Sequence, residues 1–199
     1  MPPACVLITG ATGGIGGALA EVYAEAGRTL ILQGRNAVRL QELAMLCEER
    51  GARVLTQVLD LRDVAALQAW LASLCAQESL DLVIVNAGVN TNIGPQGAGE
   101  RWQDVQALFE VNLLAAVATV DAVLPAMRAR GNGQIALLSS LAAYYGLPVT
   151  PSYSASKAAL KAYGEAIRGW LAEQGVRVSV VMPGYVESRM CREMPGPKP

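Results

Sequence analysis

The chain is 199 residues long, with 52% hydrophobic and 17% charged residues. That is enough apolar material for a single domain, residues 1–199, with a core of its own, and too little charge for a disordered chain. Its 16 Lys and Arg against 17 Asp and Glu leave a formal net charge of -1, so no positive field draws nucleic acid or an anionic membrane.

Histidine is absent, and Cys5, Cys47, Cys75 and Cys191 have no C-x-x-C spacing. Both facts argue against a metal centre and against a Ser-His-Asp hydrolase. The first apolar run, 5–9, is short and strand-like with no basic segment before it, which predicts a cytoplasmic protein with reduced thiols.

Strand-length apolar runs at 5–9, 29–33, 53–59, 82–86, 134–139 and 177–182 alternate with helical patterns at 15–26, 37–50, 64–76, 101–128 and 152–173. The alternation predicts βαβ units in an α/β fold. The expected architecture is a Rossmann-like doubly wound parallel sheet with helices on both faces and ligand crevices at the carboxyl ends of the strands. The most apolar stretch, 111–127, contains Asn112, Asp121 and Pro125 and reads as a buried interface helix, short of a membrane span. Two loops stand out: 89–99, rich in Gly and Asn, and 142–151, with two tyrosines and two prolines.

The first strand–helix junction is Thr9-Gly10-Ala11-Thr12-Gly13-Gly14-Ile15-Gly16. A glycine turn that opens a helix suits a pyrophosphate: Gly10 permits the tight turn, Gly14 a close backbone approach and Gly16 close helix packing, while the helix end offers N–H donors. After the second strand, Gln33-Gly34-Arg35-Asn36 has no acid to hold a ribose hydroxyl. Gly34 leaves space there and the Arg35 guanidinium can pair with a 2′-phosphate, which favours NADP, with NAD the alternative. Asp60-Leu61 ends the third strand, where the carboxylate either accepts from an adenine amino group or merely terminates the strand. Asn86-Ala87-Gly88 ends the fourth and leaves room for the adenosine half.

Tyr153 and Lys157 are four apart, hence on one helical face about 6 Å apart by their Cβ atoms. An ammonium beside a phenol favours the phenolate and brings a tyrosine toward general acid/base work. Ser140 ends the fifth strand, where its hydroxyl can meet a substrate oxygen. Asn112, in an apolar helix, needs partners: a carbonyl or a water network.

Together these residues resemble the short-chain dehydrogenase/reductase family in its compact form, from the first strand to the end of the chain. TGATGGIG resembles its glycine motif, NAG its sheet-edge motif, SYSASK its Y-x-x-x-K, and Pro183-Gly184-Tyr185-Val186-Glu187-Ser188 its P-G segment. The resemblance implies that Tyr153 exchanges a proton and that Lys157 binds the nicotinamide ribose and lowers the tyrosine pKa. It further implies that Ser140 holds the reacting oxygen, Asn112 positions a relay water, and Val186 and Ser188 bind the carboxamide. Thr12, Gly13, Ile15, Pro183 and Gly184 join the cofactor-binding set, with no metal.

Compact members usually run on the order of fifty residues further, so the resemblance also implies a truncated carboxyl end that lacks the usual last strand. The function expected is an NADP-preferring oxidoreductase moving a hydride between nicotinamide and a small carbonyl or alcohol, as a homodimer or homotetramer. The rivals are a non-catalytic NAD(P)-binding sensor or interaction protein, and an epimerase or dehydratase on the same fold. Tyr144, Tyr145, Leu147 and Met190 hint at an apolar or aromatic substrate or are ordinary packing.

Overall fold

The structure is a computed structural model that describes residues 2–188 and 191–192. Met190 and the tail 194–199 lie outside the described residues. Six strands, β1 (Cys5–Ile8), β2 (Thr29–Gly34), β3 (Arg53–Val58), β4 (Leu82–Val85), β5 (Gly133–Leu138) and β6 (Val176–Val181), form one parallel sheet in the order β3-β2-β1-β4-β5-β6. The chain winds outward from β1 in one direction and from β4 in the other. The crevice at their shared carboxyl end is therefore the topological switch point, where open α/β sheets take their ligands.

Side chains of alternate strand residues leave the sheet on opposite faces. Val6, Ile8, Leu30, Leu32, Leu82 and Ile84 pack under α1 (Gly14–Tyr23) and α2 (Ala37–Glu49). Leu7, Ile31, Val83, Val85, Ile135 and Leu137 pack on the other face, under α3 (Val64–Gln77), α5 (Ala115–Arg130) and α6 (Pro151–Trp170). Local chemistry marks the helix ends: Asn36 Oδ1 accepts from Arg39 N and Asp63 Oδ1 from Ala66 N, both at 3.0 Å, starting α2 and α3. Gly131, at φ 62°, ends α5.

The helical pattern at 101–128 is not one uniform α-helix. It is α4 (Trp102–Phe109), a π-helical turn (Glu110–Leu114) and α5, which together run from Trp102 to Arg130. The π-turn holds Asn112, and insertions of this kind gather at functional sites. The continuous rod of 29 residues is, by length and composition, long and apolar enough to cross a membrane, so the sequence reading of a shorter stretch understated it. Of its most apolar window 56% is buried, with α3 and α6 packed along it, the pattern of a helix inside a protein core.

Candidate functional site

A cleft of about 940 Å³ crosses the carboxyl ends of the strands. At one end lie Arg35, Asn36, Arg39, Asp60 and Leu61; in the middle, the glycine turn and Asn86-Ala87-Gly88; at the other end, Val89, Asn90, Ser139, Tyr153 and Lys157. Of the residues expected to serve the site, Gly10, Thr12, Gly13, Ile15, Arg35, Asp60, Leu61, Asn86, Ala87, Gly88, Tyr153, Lys157, Pro183 and Ser188 border this space. Gly16, Asn112 and Ser140 are not among the residues that line it, Gly184 packs near Leu141, and Val186 is exposed on the loop after β6. Tyr144, Tyr145 and Leu147 do not line the cleft. Both tyrosines are exposed, and Lys161 Nζ lies 5.0 Å from the centre of the Tyr144 ring.

The turn is built by close approach. Gly10 has φ +65°, and a Cβ there would stand 2.7 Å from Ala87 Cα; one on Gly16 would stand 2.4 Å from Gly10 O. Side chains at either position would push β1, β4 and α1 apart. Gln33, buried in the otherwise apolar β2, braces the turn from below: its Oε1 accepts from Gly10 N at 3.0 Å and its Nε2 donates to Leu59 O at 2.7 Å. From β4, Asn86 Nδ2 donates to Thr9 O and Gly10 O at 3.0 and 3.1 Å. The Asn86 amide group is thus spent on holding the turn, and the sequence reading gave neither it nor Gln33 that part.

The surroundings of Gly34 and Gly14 add two contacts. The space beside Gly34 is taken by the Thr12 side chain, whose Cγ2 would lie 2.9 Å from a Cβ, so it is not open room for a phosphate. Beside Gly14 stands Ser188, its Cβ 3.1 Å from where a side chain would begin. The smallness of Gly14 therefore lets the loop after β6 close over the turn.

At the outer end, Asp60 is held by Arg62, which bonds both carboxylate oxygens at 2.6–3.1 Å. Those bonds, with a smaller contribution from Arg35, keep the Asp60 carboxyl below the usual carboxylate range. Arg35, Asn36 and Arg39 are exposed along the rim. The cap position of α1, Gly13, supplies no side-chain acceptor, so the first N–H groups of that helix are left for a ligand. A donor set of helix N–H groups and guanidinium groups suits a ligand that carries phosphates.

The inner end is buried. Lys157, 4% exposed, donates from Nζ to Leu138 O at 2.7 Å and lies 5.7 Å from the centre of the Tyr153 ring. Ser139 Oγ donates to Lys157 O at 2.7 Å. Ser140 hydrogen-bonds Tyr153, and its Oγ accepts from Ala142 N at 3.2 Å where a 3₁₀ turn (Leu141–Ala143) begins.

Burial pushes the Tyr153 phenol up, and the Ser140 bond partly offsets this. Burial also lowers the Lys157 ammonium to about 8. The Lys157 ammonium, itself disfavoured by burial, is turned to Leu138 O.

Asn112 is fully buried and its bonds are the backbone of Val89 and one serine: Oδ1 accepts from Val89 N at 2.8 Å, while Nδ2 donates to Val89 O at 2.9 Å and Ser156 Oγ at 3.1 Å. Of the two roles expected for it, the carbonyl partner is the one its side chain takes, and both amide hydrogens are used. The buried serines Ser139 and Ser156 were not singled out from sequence, since serine is common in loops and helix starts.

The family model described as short chain dehydrogenase matches residues 4–197. An uncharacterized oxidoreductase of Mycobacterium tuberculosis is 36% identical over 93% of this chain and 74% of its own length. Among solved structures, the L-sorbose reductase from Gluconobacter frateurii complexed with NADPH and L-sorbose matches at a TM-score of 0.84 and 31% identity, over 94% of this chain and 71% of that one. An NAD+-bound xylitol dehydrogenase matches at a TM-score of 0.84 and 28% identity, over 91% of this chain and 70% of that one.

Proposed function

Because this chain belongs to the short-chain dehydrogenase/reductase family, a family of NAD(P)-dependent oxidoreductases, we propose that it reduces a carbonyl to an alcohol with NADPH, Tyr153 giving the proton. The observation that carries this reading is the inner end of the cleft, where a half-buried phenol bonded to Ser140 stands beside a buried lysine.

When bound, the nicotinamide cofactor supplies the hydride that goes to the carbonyl carbon. Burial keeps the Tyr153 phenol protonated at neutral pH, as a proton donor to the carbonyl oxygen must be. Ser140 orients that oxygen through the same hydroxyl that meets Tyr153. Lys157, beside Gly88, offers its ammonium to a ribose at the floor of the cleft: a Cβ on Gly88 would come within 3.4 Å of Nζ, so glycine keeps that approach open. In the reverse direction Tyr153 must first lose its proton, so alcohol oxidation requires higher pH than reduction.

The preference for NADP rests on this chain's own rim, since relatives of equal likeness carry either cofactor. No carboxylate follows β2; Arg35, Asn36 and Arg39 do, and guanidinium groups pair with a 2′-phosphate where an acid would repel it. Substrate and cofactor are both served within one domain. The four cysteines are unpaired, in keeping with a reducing, cytoplasmic setting, and the α4–α5 rod is offered as a surface for homodimers or homotetramers.

The test is a fluorescence titration with NADPH and NADH, followed by a carbonyl panel. NADPH-selective binding with turnover supports the proposal. Equal affinity for the two cofactors sinks the preference, and binding without turnover on any carbonyl sinks the enzymatic reading.

A further inference from the structure

The start of α6 lacks the acceptor that usually stands beside a helix amino end. Thr150 occupies the cap position, yet its side chain makes no capping bond and its buried Oγ1 has no partner. Pro151, first in the helix, has no N–H to give. The acceptor comes from 52 residues away. Glu100 Oε2 accepts from Ser152 N at 3.1 Å and from Ser152 Oγ at 2.5 Å, and a carboxylate at a helix amino end is favoured by the helix dipole as well as by the bonds.

One turn along α6, Ser156 Oγ accepts from Asn112 Nδ2 at 3.1 Å. Ser152 and Ser156 are four apart and so share one face of the helix. Both are gripped from one stretch of chain: Glu100 just before the rod begins at α4, and Asn112 in its π-turn. Tyr153 and Lys157 each follow a gripped serine by one residue. The body of α6 is held by Ser139 Oγ on Lys157 O, by Lys157 Nζ on Leu138 O and by Leu160 and Ile167 in the core, and the grip at Ser152 adds a hold on its first turn. The surrounding loops are joined too, since Ile93 N donates to Val149 O and Gly99 N to Ile93 O, each at 3.1 Å.

We propose that Glu100 is a positioning residue for the reaction: through Ser152 it locks the amino end of α6 to the start of α4 and so sets where the Tyr153 phenol stands. This rests on the reading of Tyr153 as proton donor. The test compares Glu100→Ala and Glu100→Gln with the unaltered chain, using NADPH and its best carbonyl substrate, and follows amide hydrogen exchange in the absence of ligand.

Glu100→Ala is expected to lower kcat about tenfold, since small misplacements of a reacting group cost that much or more. KM for NADPH should stay within about twofold, because the rim and the glycine turn are untouched. Glu100→Gln, whose amide oxygen still accepts from Ser152 N, should regain most of kcat. Exchange should quicken over 152–157 in the alanine variant and not in β1 or β4. An alanine variant with a lowered Tm but full kcat would overturn the proposal, as would a glutamine variant no better than alanine. If the unaltered chain reduces no carbonyl, the functional reading fails by itself. Exchange then decides whether Glu100 locks the helix end: quickening over 152–157 supports the lock and unchanged exchange overturns it.

Discussion

The two ends of the cleft are made by opposite means. At the inner end Asn112, Ser139, Ser156 and Lys157 are all buried, and each is bonded to backbone or to another buried group. At the outer end Arg35, Asn36 and Arg39 stand exposed on the rim, and the Asp60–Arg62 pair lies at the surface. Buried polar networks fix geometry before any ligand arrives, and they are costly when broken. Exposed charges are cheap to keep and act through attraction that salt screens. On the proposed function, the inner end serves to orient reacting atoms and the outer end to recognise a charged group.

The largest expected effect follows from removing one oxygen at the inner end. Tyr153→Phe should cut turnover by about a thousandfold or more, while NADPH affinity stays within about threefold, because the ring still fills its place. Steady-state rates beside a fluorescence titration check both halves. A phenylalanine variant that keeps its rate would break the division of labour between the two ends.

Lys157 gives the comparison its pH dependence. Its folded pKa of about 8 lies below the ordinary 10.5. Below pH 8 folded and unfolded chains both carry the proton, and folding bears the full cost of a buried charge. Between pH 8 and 10.5 the unfolded chain binds more protons than the folded one, so the stability of the native chain rises with pH across that window.

Lys157→Met removes the cost, so at pH 7 the variant should be more stable by up to about 3 kcal/mol, less what the lost bond to Leu138 O takes back. Its advantage should shrink from pH 8 toward 10, and its turnover should be lost. Urea denaturation at several pH values measures this. A variant less stable than the unaltered chain at pH 7 would mean that the inner end carries no stored cost.

Gln33→Met tests the brace between the two ends. It leaves Gly10 N and Leu59 O without their partners inside the sheet edge, at a cost of about 2 kcal/mol. The signature is local: exchange should quicken at Gly10 and affinity for NADPH should fall, with the Tyr153 end unaltered.

How much of this was legible in the sequence follows from the range of the interactions. The strands and helices were readable, because apolar period and strand length are local properties that repeat along the chain. Right-handed crossovers between them gave a Rossmann-like parallel sheet, while the strand order came only with the structure. The glycine turn was recognisable from its place between a strand and a helix. Gln33, Asn86 and Glu100 were not read for what they do: their partners lie 23 to 77 residues away, and nothing next to them in sequence marks a buried amide or carboxylate as a brace. The break of the 101–128 pattern into α, π and α segments escaped too, because one inserted residue barely disturbs the apolar period. Gly34 misled because its neighbour across the turn, Thr12, is a contact that only folding creates.

The smallest effect, and the one that sharpens the comparison most, is expected at Arg35. An exposed guanidinium that pairs with a phosphate contributes through charge, so Arg35→Ala should weaken NADPH by about tenfold while NADH changes by less than about twofold. The Arg35 contribution should also fade with salt, since the Debye length shortens from about 10 Å at 0.1 M to about 3 Å at 1 M. The gap between the unaltered chain and the variant should therefore narrow as salt rises, whereas the loss caused by Tyr153→Phe should not change. Titration of both cofactors at two salt concentrations gives the answer. A salt-independent gap would place Arg35 with the buried, oriented groups of the inner end, and equal losses for both cofactors would mean that the rim recognises something other than the 2′-phosphate.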